Sequence, residues 1–197
     1  MTTAAASARA DLRPLRRFVA GLSTLLAEKP AEADILARGG DLLRDLIAND
    51  RWLPDAYAAP DPNQYRQYLL YRDPQARFSI VSFVWGPGQR TPIHDHTVWG
   101  LVGVLRGAEI VENYDRHGGL RFTGSARLDA GAVDHISPRR GDIHRVSNGV
   151  ESAVSVSIHV YGADIGTVRR SVFASDGTTR SFVSGYAPAP ALELGID

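Results

Sequence analysis

There is no cysteine anywhere in this chain of 197 residues. That absence rules out disulfide staples and thiolate metal sites, and it makes a cytosolic address the default expectation. Neither sign of charge is in excess: Lys and Arg together number 22, and so do Asp and Glu. The sequence therefore offers no electrostatic case for binding nucleic acid or a charged membrane. No apolar run approaches the roughly 20 residues of a membrane-spanning helix. The opening stretch MTTAAASARADLRPLRRF lacks the continuous apolar segment of a signal peptide and reads as a frayed end entering a helix. Tandem repeats are missing too. At this length one full core is expected rather than two domains.

What is present falls into two textures. From Asp11 to Glu28, Leu12, Leu15, Val19, Leu22 and Leu26 recur at helical spacing, with Pro14 suited to a first turn and Pro30 closing the segment. A second helix is predicted from Ala31 to Asn49, weakened or kinked at Gly39 and Gly40. Pro54, Pro60 and Pro62 then mark a linker. After Gln64, short runs rich in Val, Ile, Phe, Tyr and Trp alternate with turn residues: YRQYLLYR, FSIVSFVWG, LVGVLRG, AEIVENYD, LRFTGSARL and SAVSVSIHVYG. Many short strands with such punctuation indicate an all-β barrel or sandwich. The expectation is one mainly β domain. Residues 1–62 form a helical segment of two or three α-helices, 63–184 a barrel, and 185–197 a tail that is an irregular strap or disordered.

Two of the six histidines stand in Ile93-His94-Asp95-His96. In a strand, residues i and i+2 share a face, so the two imidazoles project together as half of a metal site. Two polar residues at a strand edge are the plainer reading of such a pair. Downstream, Pro138-Arg-Arg-Gly141-Asp-Ile-His144 supplies a third histidine and continues to Asn148. The order G-x5-H-x-H, then P-x2-G-x2-H-x3-N, resembles the two motifs of the cupin superfamily, a jelly-roll β-barrel. A Glu ligand usually follows the first pair there, and this chain has Gly100 in its place. The predicted site is His94, His96 and His144 with no anionic ligand. It keeps the full charge of the metal and favours an anionic ligand such as a thiolate. His117 and His135 read as surface residues.

Ser157, His159 and Tyr161 occupy i, i+2 and i+4 of SAVSVSIHVYG, with Val156, Ile158 and Val160 on the opposite face. The polar row can form a relay facing a polar cavity, with Ser holding His and His holding the phenol. A solvent-facing strand is the competing reading.

Taken together, IHDHTVWGLVGVLRGAE, PRRGDIH and SVSIHVYG look like the bacterial thiol dioxygenases related to cysteine dioxygenase. The likeness runs roughly from Tyr65 to Arg170. It implies a cupin barrel, mononuclear non-haem iron(II), and conversion of a small thiol to its sulfinate with both oxygens from O2. It also implies catalytic roles for Ser157, His159 and Tyr161. The cysteine enzymes of mammalian type carry an Arg in a Y-x-R-N segment, and here Gln67 stands in the corresponding Tyr65-Arg66-Gln67-Tyr68. That resembles the 3-mercaptopropionate dioxygenase subgroup. By alternation Gln67 shares a face with Leu69 and Tyr71; a one-residue slip would present Arg66 instead. Arg170 matches the second Arg position of the family and would bind the substrate carboxylate, with Arg169 as fallback. The Cys–Tyr crosslink of the mammalian enzymes is impossible here, because Gly100 occupies its place. L-cysteine is the second substrate candidate. A Zn- or Mn-dependent enzyme and a non-catalytic sensor are the alternatives from other classes.

Overall fold

The computed structural model describes residues 10–116 and 118–195. His117 lies outside the described residues. α1 (Arg13–Ala27) carries Pro14 in its first turn and buries Leu15, Phe18, Val19, Leu22 and Leu25 along one stripe. It ends at Lys29, whose positive φ of 51° turns the chain into Pro30. α2 (Glu32–Ile47) buries Ile35, Leu36, Gly39, Gly40, Leu43, Leu46 and Ile47. Trp52 folds back and donates its indole N–H to the Leu46 carbonyl at 2.9 Å, satisfying a helix-end acceptor. A single 3-10 turn, Asp55–Tyr57, follows.

The strands are β1 (Arg66–Arg72), β2 (Ser79–Trp85), β3 (Ile93–His94), β4 (Gly100–Arg106), β5 (Ala108–Asp115), β6 (Arg121–Asp129), β7 (Val133–Ile136), β8 (Ile143–Asn148), β9 (Ser155–Tyr161), β10 (Arg170–Phe173) and β11 (Thr179–Phe182). They form two antiparallel sheets, ordered β1-β2-β9-β4-β7 and β11-β10-β3-β8-β5-β6. β9 slots between β2 and β4, and β8 between β3 and β5, the non-sequential neighbours of a jelly roll. The mainly β architecture with helices ahead of the barrel is the one expected. Among the described residues, no helix is long and apolar enough to cross a membrane.

The first sheet is buried on both faces. Ile80, Val84, Leu101, Leu105, Val156, Ile158 and Val160 pack outward on α1 and α2. Val81, Phe83, Trp85, Val102, Ile136 and Tyr161 point inward, where Val111 and Val146 of the second sheet meet them. The helices therefore cap one face of the sheet that carries the polar row.

One sequence expectation changes, and the tail takes the first of its two readings, the strap. Gly39 and Gly40 do not kink α2, which runs unbroken. They are the notch that lets the helix approach the sheet: a Cβ on Gly39 would lie 3.0 Å from Leu101 Cδ1. The tail is extended and partly buried rather than loose. The Tyr57 hydroxyl donates to the Pro190 carbonyl, the Ala187 amide donates to the Gln67 carbonyl at 2.8 Å, and Leu194 is buried. This strap covers part of the free edge of β1.

The sheet approaches the helix closely from its own side at Gly103, where a Cβ would stand 3.0 Å from Leu43 Cγ and 3.1 Å from two carbons of Ile47. Gly103→Ala should overpack this contact and lower stability by about 1–3 kcal/mol. Urea unfolding measures it; an unchanged midpoint would mean that α2 shifts freely on the sheet.

Candidate metal centre and its cavity

β3 is only two residues long, shorter than the strand that would place both histidines by alternation alone. Neighbouring contacts hold the extended backbone. His94 pairs directly with His144 across β3 and β8. Beyond β3, the Asp95 amide donates to the Ser171 carbonyl at 3.1 Å. The amides of His96 and Thr97 both donate to Asp142 Oδ2 at 2.9 Å, and Thr97, at φ 62°, turns the chain away.

These devices bring His94, His96 and His144 together with one candidate ligand atom from each, all within 4.8 Å of one another. It is the one such cluster among the described residues. The ring centroids lie 4.7–4.9 Å apart at steep mutual angles. Burial, reinforced by the Arg170 charge, pushes the His94 pKa down to about 4; burial and the neighbouring imidazoles hold His96 and His144 well below the usual histidine range. All three are neutral ligands near neutral pH. His94 Nδ1 lies 3.0 Å from the Pro92 carbonyl, which can only accept, so Nδ1 carries the proton and Nε2 keeps its lone pair. His96 Nδ1 is buried without a partner. Three neutral nitrogen donors with an orphaned polar atom among them suit a divalent metal ion. Gly100 leaves no room for a fourth ligand: a Cβ there would meet Tyr161 Cδ1 at 3.1 Å.

The polar row stands beside this cluster. The Trp85 indole N–H donates to Ser157 Oγ at 3.2 Å, Ser157 Oγ lies 2.8 Å from His159 Nε2, and His159 Nδ1 lies 2.8 Å from Tyr161 Oη. Ser157, His159 and Tyr161 are all buried, so the solvent-facing reading does not hold. The ring of Phe83 stacks on His159 at 4.0 Å, and Tyr161 lies nearly parallel to His96 at 5.5 Å. Burial takes His159 down to about 3 and lifts the Tyr161 phenol above its ordinary range. A neutral imidazole thus holds a neutral phenol.

A cavity of about 450 Å³ opens beside His94 and Tyr161. Gln67, Phe83, Arg170, Phe182, Ser184 and Tyr186 are among its walls. Arg170, at the start of β10, is only 5% exposed. Its Nη2 donates to Ser184 Oγ at 2.7 Å, its guanidinium lies over Phe182, and Nε has no partner. Asp95, which acts on it through its charge, is tied instead to the Ser171 amide. Arg169 is exposed and bonds Ser181, so it does not stand in for Arg170. Gln67 pairs with Phe83 on the inward face of β1; Arg66 pairs with the outward-facing Val84 and its guanidinium bonds Asp61, yet it too reaches the cavity wall. A bulge between Leu69 and Tyr71 corrects the alternation. Leu69 stays opposite inward Val81, and Tyr71 moves opposite outward Ile80. His135 is on β7, not in a loop, and is exposed.

Residues 7–172 match the family described as cysteine dioxygenase type I. The chain belongs to that family. The cysteine dioxygenase match takes in both helices, the three histidines, the polar row, Gln67 and Arg170. It stops inside β10, so Phe182, Ser184 and Tyr186 lie beyond it. Among solved structures, the chain is similar to an acetylacetone dioxygenase from Acinetobacter johnsonii (16% identity over 66% of this chain and 83% of that one, TM-score 0.47). It is also similar to a protein with a double-stranded β-helix domain from Klebsiella pneumoniae (15% identity, 66% and 87%, TM-score 0.47). A third is a cupin superfamily protein from Desulfitobacterium hafniense (17% identity, 59% and 94%, TM-score 0.44). All three are remote likenesses.

Sequence reasoning missed the contribution of the tail. Tyr186 Oη donates to Asp164 Oδ1 at 2.5 Å and accepts from the Gly166 amide at 2.9 Å, fixing the strap over the cavity. Its aromatic character in a Pro-rich segment was the available signal. Tyr186→Phe should raise amide hydrogen exchange at Gly166 and Gly185 about tenfold, as expected for losing a charge-assisted hydrogen bond. Unchanged exchange would show that the strap is held without the phenol.

Proposed function

We propose that the chain is an iron(II)-dependent thiol dioxygenase that prefers 3-mercaptopropionate and converts R–S⁻ and O2 to R–SO2⁻. One observation carries the reading: a cluster of neutral imidazoles borders a cavity that has a buried arginine in its wall and no Asp or Glu among its lining residues. An iron(II) ion on His94, His96 and His144 would supply the positive charge that favours thiolate and the redox chemistry with O2.

The remaining work falls to side chains. Arg170 offers a planar fork to the substrate carboxylate in a site already shielded from water. Gln67 presents a neutral amide, and Arg66, the other cation at the cavity wall, is already paired with Asp61. Phe83 and Phe182 limit the room for water. Tyr161, held by His159 and backed by Ser157, keeps its phenolic proton and can donate it to a polar group in the cavity. The absence of a lining carboxylate supports the substrate preference. A thiol with a carboxylate and no amine leaves nothing unpaired, whereas the ammonium of L-cysteine would be buried without an anionic partner.

Oxygen uptake by the iron(II)-loaded protein, with the sulfinate identified, tests this directly. The kcat/KM for 3-mercaptopropionate should exceed that for L-cysteine by roughly 10- to 100-fold, the factor set by an unpaired charged group. A cysteine preference would keep the chemistry and reverse the substrate assignment. No uptake with any small thiol would move the weight to another metal enzyme or a sensor.

Two sets of variants separate the roles. Replacing His94, His96 or His144 with Ala should take bound iron from about one ion per chain to near none, read by metal analysis. Full metal and rate in any of these would falsify the ligand assignment. Arg170→Gln should keep its iron and raise KM about ten- to a hundredfold, as expected for losing a charge-assisted pair.

A further inference from the structure

β5 carries a carboxyl group that none of this chemistry uses. Glu109 is fully buried and shares the inward face of its strand with Val111 and Asn113. The neighbouring Ala108 amide donates to Ser155 Oγ at 3.0 Å, which draws the start of β5 against β9. Neither Glu109 oxygen makes a hydrogen bond of good geometry, yet its polar contacts are the Ser157 hydroxyl and the Trp85 indole, the inner end of the row. A carboxylate stranded there is costly, and the neutral acid far less so. We infer that Glu109 is a positioning residue which, as the neutral acid, fixes the direction of the hydrogen bonds through Ser157 and His159 and so aims the Tyr161 proton into the cavity.

The supply of donors and acceptors along the row fixes each direction. Trp85 can only donate, so one lone pair of Ser157 Oγ is taken by the indole. A protonated Glu109 donates to the other. Ser157 then has one use for its own proton, which goes to His159 Nε2. His159 must carry its proton on Nδ1 and donate it to Tyr161 Oη. The phenolic proton is left free to face the cavity. An ionised Glu109 can only accept, and the row reverses. Ser157 turns its proton to the carboxylate, His159 Nε2–H donates to Ser157, and Tyr161 donates inward to Nδ1. The cavity then faces a phenol oxygen with no proton to give. No proton leaves the row in either arrangement except the one lost by Glu109.

Burial pushes the Glu109 carboxyl up to about 7, its contacts with Ser157 and Trp85 oppose this, and the charge of Asp134 on β7 adds to the rise. Tyr161, at the outer end of the row, is the other titratable group that feels it. β6 and β8 present Leu128 and Asn148 opposite Glu109, and neither carries a charge. The neutral acid therefore prevails below about 7 and is lost above it, so the outward-facing phenol belongs to the lower side of that range.

The effect on turnover rests on the dioxygenase reading; the direction of the row does not. The first measurement is therefore nitrogen NMR of the His159 tautomer, in full-length protein labelled at histidine nitrogen and loaded with diamagnetic zinc. The wild type should pass from Nδ1–H to Nε2–H as pH rises through the Glu109 transition. Glu109→Gln has an amide that can always donate to Ser157, so it should hold Nδ1–H throughout. Infrared spectra should show a carboxylic acid band that titrates in the wild type and is missing in the variant. In the wild type kcat/KM should fall through the same range, and in Glu109→Gln it should stay level. One tautomer at every pH in the wild type, which needs no variant to observe, overturns the inference. So does a Glu109→Gln protein that still switches. A tautomer switch in a protein that oxidises no thiol would sustain this inference and sink the functional reading alone.

Discussion

A sheet with no face left to water sets the terms for everything else. Strands β2, β9 and β4 give one side to α1 and α2 and the other to the barrel interior. Any polar side chain on the inward side must find its partners there, because burying it unpaired costs about 1–3 kcal/mol or more. Ser157 and His159 meet that demand through one another and through Trp85 and Tyr161. The helices are thus not an ornament on a self-sufficient barrel. Without them the outward valines and isoleucines of β9 would be wet, and the strand that carries the row would lose the packing that holds it.

The electrostatic character of the interior follows from what it omits. The histidine cluster has no carboxylate ligand, and the cavity wall has a buried arginine. Neutral ligands leave the charge of a metal unquenched, and Arg170 adds to it. Such an interior is electrostatically suited to anions. The buried acid at Glu109 fits the same pattern. It lies away from the cavity wall, and burial favours its uncharged form up to about pH 7.

Much of this was readable in the chain. The spacing of His94, His96 and His144 and the period-two row of Ser157, His159 and Tyr161 are local signals, and local signals survive in a sequence. The mainly β architecture was equally visible in its short, punctuated strands. Other features depend on partners far along the chain. The bulge that turns Tyr71 outward is a mismatch between two strands, so β1 alone cannot reveal it. Gly39 and Gly40 read as helix weakeners because the strands they accommodate, β4 and β7, lie far along the chain. In AEIVENYD both alternating sets mix apolar and charged residues, Glu109 with Val111 and Ile110 with Glu112, so neither face declares itself as the inner one.

The strap that carries Ser184 and Tyr186 has a consequence in time as well as in space. A chain is made from its N-terminus, so all three histidines, the polar row and Arg170 leave the ribosome before the segment that completes the cavity wall. The histidine cluster and its relay can therefore assemble in an open barrel, and the pocket takes its final shape only when the segment after β11 is laid across the edge of β1. Enclosure of the substrate site is a later event of synthesis than construction of the chemistry, separated from it by the order of the sequence itself.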